Sequence, residues 1–154
     1  MDHLRSFLSA GLFILLLCVS GCTSGIAPPT VHQAPAVNTT PIEKVEVIHF
    51  HGNRQCTSCI AVGDLAEKTV NTSFRYELAS GRLVFMHVNY DLPENAALAT
   101  KYGVTGSSLW IGVYNASGFH KEQDTRVWSL INDEGLYSNY LSMIINKRLN
   151  GDFS

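Results

Sequence analysis

The chain has 154 residues, a formal net charge of −2, 45% hydrophobic residues, 4 Cys and 6 His. That length allows one domain of about 100 residues with additional segments. The near-neutral balance and the lack of any Lys/Arg cluster exclude the electrostatic footprint of a nucleic-acid-binding protein.

The N-terminus reads as an export signal. Arg5 stands in a short polar region, and Phe7 to Val19 is almost wholly apolar, within the roughly 7–15 residues of a signal core. Val19-Ser20-Gly21-Cys22 then resembles a bacterial or archaeal lipobox, in which small residues precede a cysteine that is lipidated and becomes the new N-terminus. The alternative is an uncleaved anchor, since Phe7 to Ala27 approaches the ~20 residues that span a bilayer. Either way the downstream domain is expected outside the cytoplasm on a membrane tether, because Arg5 favours the inner side. Cys18 would leave with the signal and Cys22 would carry lipid, so Cys56 and Cys59 are the expected free thiols.

The expected organisation is therefore a signal segment over 1–21, a linker over 22–43 and a folded domain over 44–150. Four prolines and no charge between Thr23 and Ile42 describe a semi-extended spacer. Val45 to His51 is rich in β-formers and stops at Gly52-Asn53, a turn signal.

Cys56-Thr57-Ser58-Cys59 follows, at the passage from strand to helix. Two thiols at this spacing can close on each other, and the first meets unpaired N–H groups and the helix dipole, which favour its thiolate. Arg54 adds positive charge nearby. Cys56 is thus the candidate nucleophile, and Cys59, one turn inward, the thiol that releases a bound partner. A purely structural disulfide over so short a loop would stabilise weakly. The other reading is metal: His49, His51, His87 and His120 could join the cysteines around zinc or copper.

From Cys59, apolar residues Val62, Leu65, Ala66, Thr69, Val70, Phe74 and Leu78 recur at three and four, predicting one helix from Ile60 to Leu78, stopped by Ser80-Gly81. Leu83 to Tyr90 predicts a strand whose continuous apolar first half suits a central position, parallel to the first through the helical crossover. A short helix is expected from Pro93 to Tyr102, closed by Gly103. Leu109 to Tyr114 is a third strand, turning through Asn115-Ala116-Ser117-Gly118 into a fourth. The last helix shows Leu136, Tyr140, Leu141, Ile144, Ile145 and Leu149 on one face, with Asp133 and Glu134 at its start and Lys147 and Arg148 at its end, as the dipole favours.

This order, with a C-x-x-C opening the first helix, resembles the thioredoxin fold from about Val45 to Leu149. A second match lies in Val88-Asn89-Tyr90-Asp91 followed by Asn95 to Gly106, similar to the thioredoxin segment that ends in a Tyr-Gly-Val turn. The Arg54-to-Cys59 run and Trp128-Ser129-Leu130 also resemble exported thioredoxin-like lipoproteins described as nitroaryl-reductase accessory subunits. The resemblance implies an α/β fold, a mixed sheet of about four strands flanked by helices. It implies a membrane-tethered thiol–disulfide oxidoreductase that acts on protein thiols or disulfides and needs no cofactor.

Three positions depart from the family. Ser108 occupies the place of the cis-proline, where a serine favours a trans peptide and brings a hydroxyl or backbone group towards the sulfurs. Gln55 stands where thioredoxins have Trp. The buried strand acid that assists the second thiol falls on Phe50 in a gapless alignment, with His51 as the substitute if the turn is shifted by one residue.

Overall fold

The computed structural model describes residues 41–154; the signal, the lipobox with Cys22 and most of the linker lie outside them. Four strands form one mixed sheet: β1 (Ile42–His51), β2 (Leu83–Asn89), β3 (Ser108–Asn115) and β4 (Gly118–Asp124), in the order β2-β1-β3-β4. β1 runs parallel to β2 and antiparallel to β3, and β3 and β4 make an antiparallel hairpin. Helices α1 (Thr57–Ser73), α2 (Arg75–Ala79), α3 (Ala96–Tyr102) and α4 (Glu134–Leu149) flank it. This is the thioredoxin-like arrangement that the resemblance implies.

The strand period of two divides β1 between two cores. Val45 and Val47 join Val62, Ala66 and Val70 of α1 and Tyr137, Leu141 and Ile145 of α4. Ile48 and Phe50 point the other way, to Val88 and the ring of Tyr102 at the end of α3. Residues 45–50 are all buried, because β1 has a strand on each side and helices on both faces.

Four local expectations are corrected. β1 starts at Ile42, earlier than Val45. The single helix Ile60–Leu78 is two helices, broken at Phe74, whose backbone is non-helical (φ −128°, ψ 37°) while its ring is buried; Asn71-Thr72-Ser73 before it are weak helix formers. β2 lies at the sheet edge rather than the centre, with Val84, Phe85 and Met86 only partly buried. On α4 the buried stripe is Tyr137, Leu141, Ile145 and Leu149, whereas Leu136 is exposed.

The ends of the elements follow their local chemistry. Asp133 caps α4 by accepting from the Leu136 N–H at 2.9 Å. Gly103 closes α3 at φ 74°, a left-handed conformation that glycine adopts without strain. Arg148 does more than complement a dipole: it is buried, and its guanidinium makes a two-pronged bond to Glu122 at 2.6 and 2.9 Å.

Beneath α3, Glu46 of β1 is a buried carboxylate. It accepts from the hydroxyls of Tyr102 and Tyr114, both at 2.8 Å, and pairs with Lys44 at 2.7 Å. Gly112, its partner across β3, makes this possible, because a Cβ there would fall on the Tyr102 hydroxyl. Burial alone would raise the Glu46 pKa; the bonds from Lys44, Tyr102 and Tyr114 outweigh it and hold the pKa below the ordinary carboxylate value. A carboxylate with a lowered folded pKa stabilises above its unfolded value and loses that contribution as pH falls through the folded one. Glu46→Gln is therefore expected to lower unfolding free energy at pH 7 by about 1–3 kcal/mol. The deficit should shrink below pH ~4.5, which urea denaturation over a pH series would measure.

Candidate functional site

The strand-to-helix turn is pinned before the cysteines arrive. Gly52 is buried against Tyr90 and Asp91, where a Cβ would lie 2.9 Å from the Tyr90 hydroxyl. The Asn53 N–H donates to Asp91 at 2.7 Å, and Asn89 donates to the Asn53 side chain at 2.8 Å. The end of β2 thereby fixes the loop that launches α1.

Cys56 occupies the N-cap position of α1, with extended backbone (φ −77°, ψ 162°), and its sulfur accepts from the Cys59 N–H at 3.1 Å. Cys56 and Cys59 are joined as a disulfide, with Cα atoms 5.0 Å apart. Cys56 is exposed and Cys59 half-buried, so an incoming thiolate has access to Cys56 first. The helix terminus stabilises Cys56 whenever that sulfur is released as a thiolate. Beside them Ile60 is an exposed apolar side chain.

The other residues singled out from the sequence are dispersed. Arg54 is exposed in the loop. Ser108 opens β3, buried, opposite Phe50; its hydroxyl donates to the Gly106 carbonyl at 2.9 Å and accepts from the Trp110 indole at 3.0 Å. All described peptides are trans, that of Ser108 included. Phe50 faces the α3 core, away from α1. His51 is half-buried, and its Nδ1 donates to the Gly52 carbonyl at 3.0 Å.

His49, treated in the sequence only as a possible ligand or core residue, lies under α1. It is 1% exposed, and its ring sits 5.6 Å from that of His51 and 5.2 Å from that of His87. Gly63, one turn beyond Cys59, lets the helix settle on it: a Cβ there would lie 2.3 Å from Nδ1 of His49 and 2.9 Å from Cε1 of His87. Nδ1 of His49 meets Nδ1 of His87 at 3.0 Å, and Nε2 of His87 meets Glu67 at 3.2 Å. Burial, then the nearby His87 and His51, lower the His49 pKa to about 4, while the Cys59 backbone opposes the shift. The available signal was a glycine inside an otherwise helical pattern, which marks a close approach.

His120 is elsewhere, exposed on β4 at the opposite edge of the sheet from β2, its ring 5.2 Å from Phe153. Among the described residues, no three His, Cys, Asp or Glu side chains are arranged to hold a metal ion. A shallow hollow lined by Asp124, Arg126, Tyr140 and Arg148 does not include the disulfide.

No family model and no curated protein sequence matches the chain. Among solved structures it is similar to a malarial protein at 20% identity and a TM-score of 0.43, covering 69% of this chain and 98% of that one. It is also similar to a thioredoxin from Thermus thermophilus at 18% identity and a TM-score of 0.43, covering 68% of this chain and 75% of that one.

Gly63→Ala is expected to destabilise the domain even though alanine is the better helix former by about 1 kcal/mol, because the new methyl meets an imidazole that the core holds in place. Overpacking of this kind costs about 1–3 kcal/mol. A lower denaturant midpoint with an unchanged slope would show it.

Proposed function

We propose that this protein is a membrane-tethered thiol–disulfide oxidoreductase acting outside the cytoplasm on protein thiols or disulfides. The observation that carries the exchange reading is the Cys56–Cys59 disulfide at the N-terminus of α1, one sulfur exposed and the other half-buried, on a thioredoxin-like sheet. In the oxidising direction a partner thiolate attacks Cys56 Sγ and Cys59 leaves as a thiolate; a second partner thiol then displaces Cys56, and the partner departs as a disulfide. The reverse sequence reduces a partner disulfide. Exposed Thr57, Ser58 and Ile60 around the sulfurs suit an extended segment of a protein substrate. The tether rests on the apolar run Phe7 to Val19 and the lipobox-like Val19-Ser20-Gly21-Cys22.

Cys56→Ser is expected to abolish exchange with a model disulfide while leaving the thermal transition close to that of the reduced parent. Cys59→Ser is expected to accumulate mixed disulfides with partners, visible as adducts on non-reducing gels that disappear with reductant. Exchange by both variants at the parental rate would rule out the dithiol mechanism. For the tether, Cys22→Ser is expected to lose a metabolically incorporated fatty-acid label that the parent retains; equal labelling of both would refute lipidation at Cys22.

A further inference from the structure

On the side of the sheet away from α1 and α4 lies a patch of charge that disulfide exchange does not use. The period of two along β4 sorts its side chains. Glu122 and Asp124 turn to α4, where they meet Arg148 and Tyr140. Phe119 joins the core beneath α3, and Lys121 donates to the Lys101 carbonyl at 2.6 Å. Lys101, in the last turn of α3, lies 4.0 Å from the ring centre of Phe119 and 4.6 Å from that of Tyr114, and donates to the Tyr114 hydroxyl. Lys44 covers the same tyrosine ring at 4.4 Å, and Lys121 reaches over Trp110 at 5.7 Å. Three ammonium groups thus converge on a strip of three half-buried aromatic rings.

Little acid faces them. Among the described residues, Lys101 and Lys121 are exposed and have no carboxylate within salt-bridge reach. Glu46, the carboxylate bonded to Lys44, is buried and already accepts from Tyr102 and Tyr114. Aromatic rings hold an ammonium group in place without cancelling its charge. A chain of net charge −2 therefore presents one cationic, aromatic surface, and its complement is a polyanionic one. A phospholipid surface fits both halves of that chemistry: the ammonium groups meet phosphates, while lysine stems and Trp and Tyr rings are apolar along their length and polar at the tip. Position agrees. Lys44 lies close to Ile42, the first residue of β1, where the linker from Cys22 enters the domain. Cys56 follows the other end of the strand, and roughly 20 Å of extended chain, at ~3.3 Å per residue, separates Lys44 from His51.

We infer that Lys44, Lys101 and Lys121, with Trp110, Tyr114 and Phe119, form a contact surface for anionic phospholipid headgroups that seats the tethered end of the sheet on the membrane. This rests on the tether of the proposed function and adds an orientation to it: the disulfide stands at the far end of β1, open to protein partners. Lys101 and Lys121 supply most of the attraction, because Glu46 offsets the charge of Lys44. The two signals act together, since a lipid chain holds the domain near the bilayer and a basic patch fixes which side meets it.

The test is lysine acylation of the full chain on vesicles, read residue by residue by mass spectrometry. Neutral phosphatidylcholine vesicles are compared with vesicles of phosphatidylcholine and phosphatidylglycerol in equal parts. Lys68, exposed on α1 and paired with Glu134, is the internal reference. Relative to it, Lys101 and Lys121 are expected to react about five-fold or more slowly on the anionic vesicles than on the neutral ones. Salt at ~1 M is expected to remove the difference. Lys101→Gln with Lys121→Gln should also free Lys44 to react, whereas Arg54→Gln with Arg75→Gln, which removes equal charge from the disulfide loop and α2, should leave Lys44 protected. Equal rates on the two vesicle types, a difference that survives salt, or the same loss of Lys44 protection in both double variants would overturn the contact surface. Anchoring is scored separately, by sedimentation with the neutral vesicles. A chain that stays in solution there, while Lys101 and Lys121 are protected on anionic vesicles, defeats the tether and upholds the patch.

Discussion

β1 is the constraint on which the molecule depends. Six consecutive residues, Val45 to Phe50, are buried, and a strand in that position must have both edges paired and both faces covered, or its backbone and side chains lose water without compensation. The parallel β2 and antiparallel β3 satisfy the edges. α1 and α4 cover one face, α3 the other. The placement of the disulfide follows, because α1 must leave the end of β1 through a short turn and lie back across it.

The same strand buries two ionisable side chains on opposite faces, with opposite results. Glu46 has three donors around it and stays charged, its pKa lowered despite burial. His49 has one histidine partner and one unpartnered nitrogen and stays neutral, because burial and the nearby His87 and His51 outweigh the opposing Cys59 backbone. Partner count, not depth, separates them. Glu46 therefore acts as a fixed structural carboxylate holding α3 and β3 to β1, whereas His49 is a neutral imidazole packed beneath α1.

Phe50 turns to the far core, and a hydrogen-bonded chain on the near face of β1 runs outward from His49 through His87 to Glu67.

Local chemistry was legible in the amino acids themselves: the strand character of Val45 to His51, the C-x-x-C at a helix start, Gly103 as a helix stop, Asp133 at the start of the last helix, and the element order of a thioredoxin-like sheet. These depend on residues within a few positions of one another. Periodicity alone misplaced β2, since its apolar run does not reveal whether a fifth strand lies beyond it, and it carried one helix through Phe74, whose ring enters the core by breaking the backbone pattern. It also could not separate His49 from His51 or His87. That distinction required the three-dimensional path of α1 over β1, where the missing side chain of Gly63 admits one imidazole, and the lateral position of β2, which brings His87 and Glu67 into line. Hydrogen-bond partners 20 and 38 residues apart are set by packing, and only the folded chain brings them together.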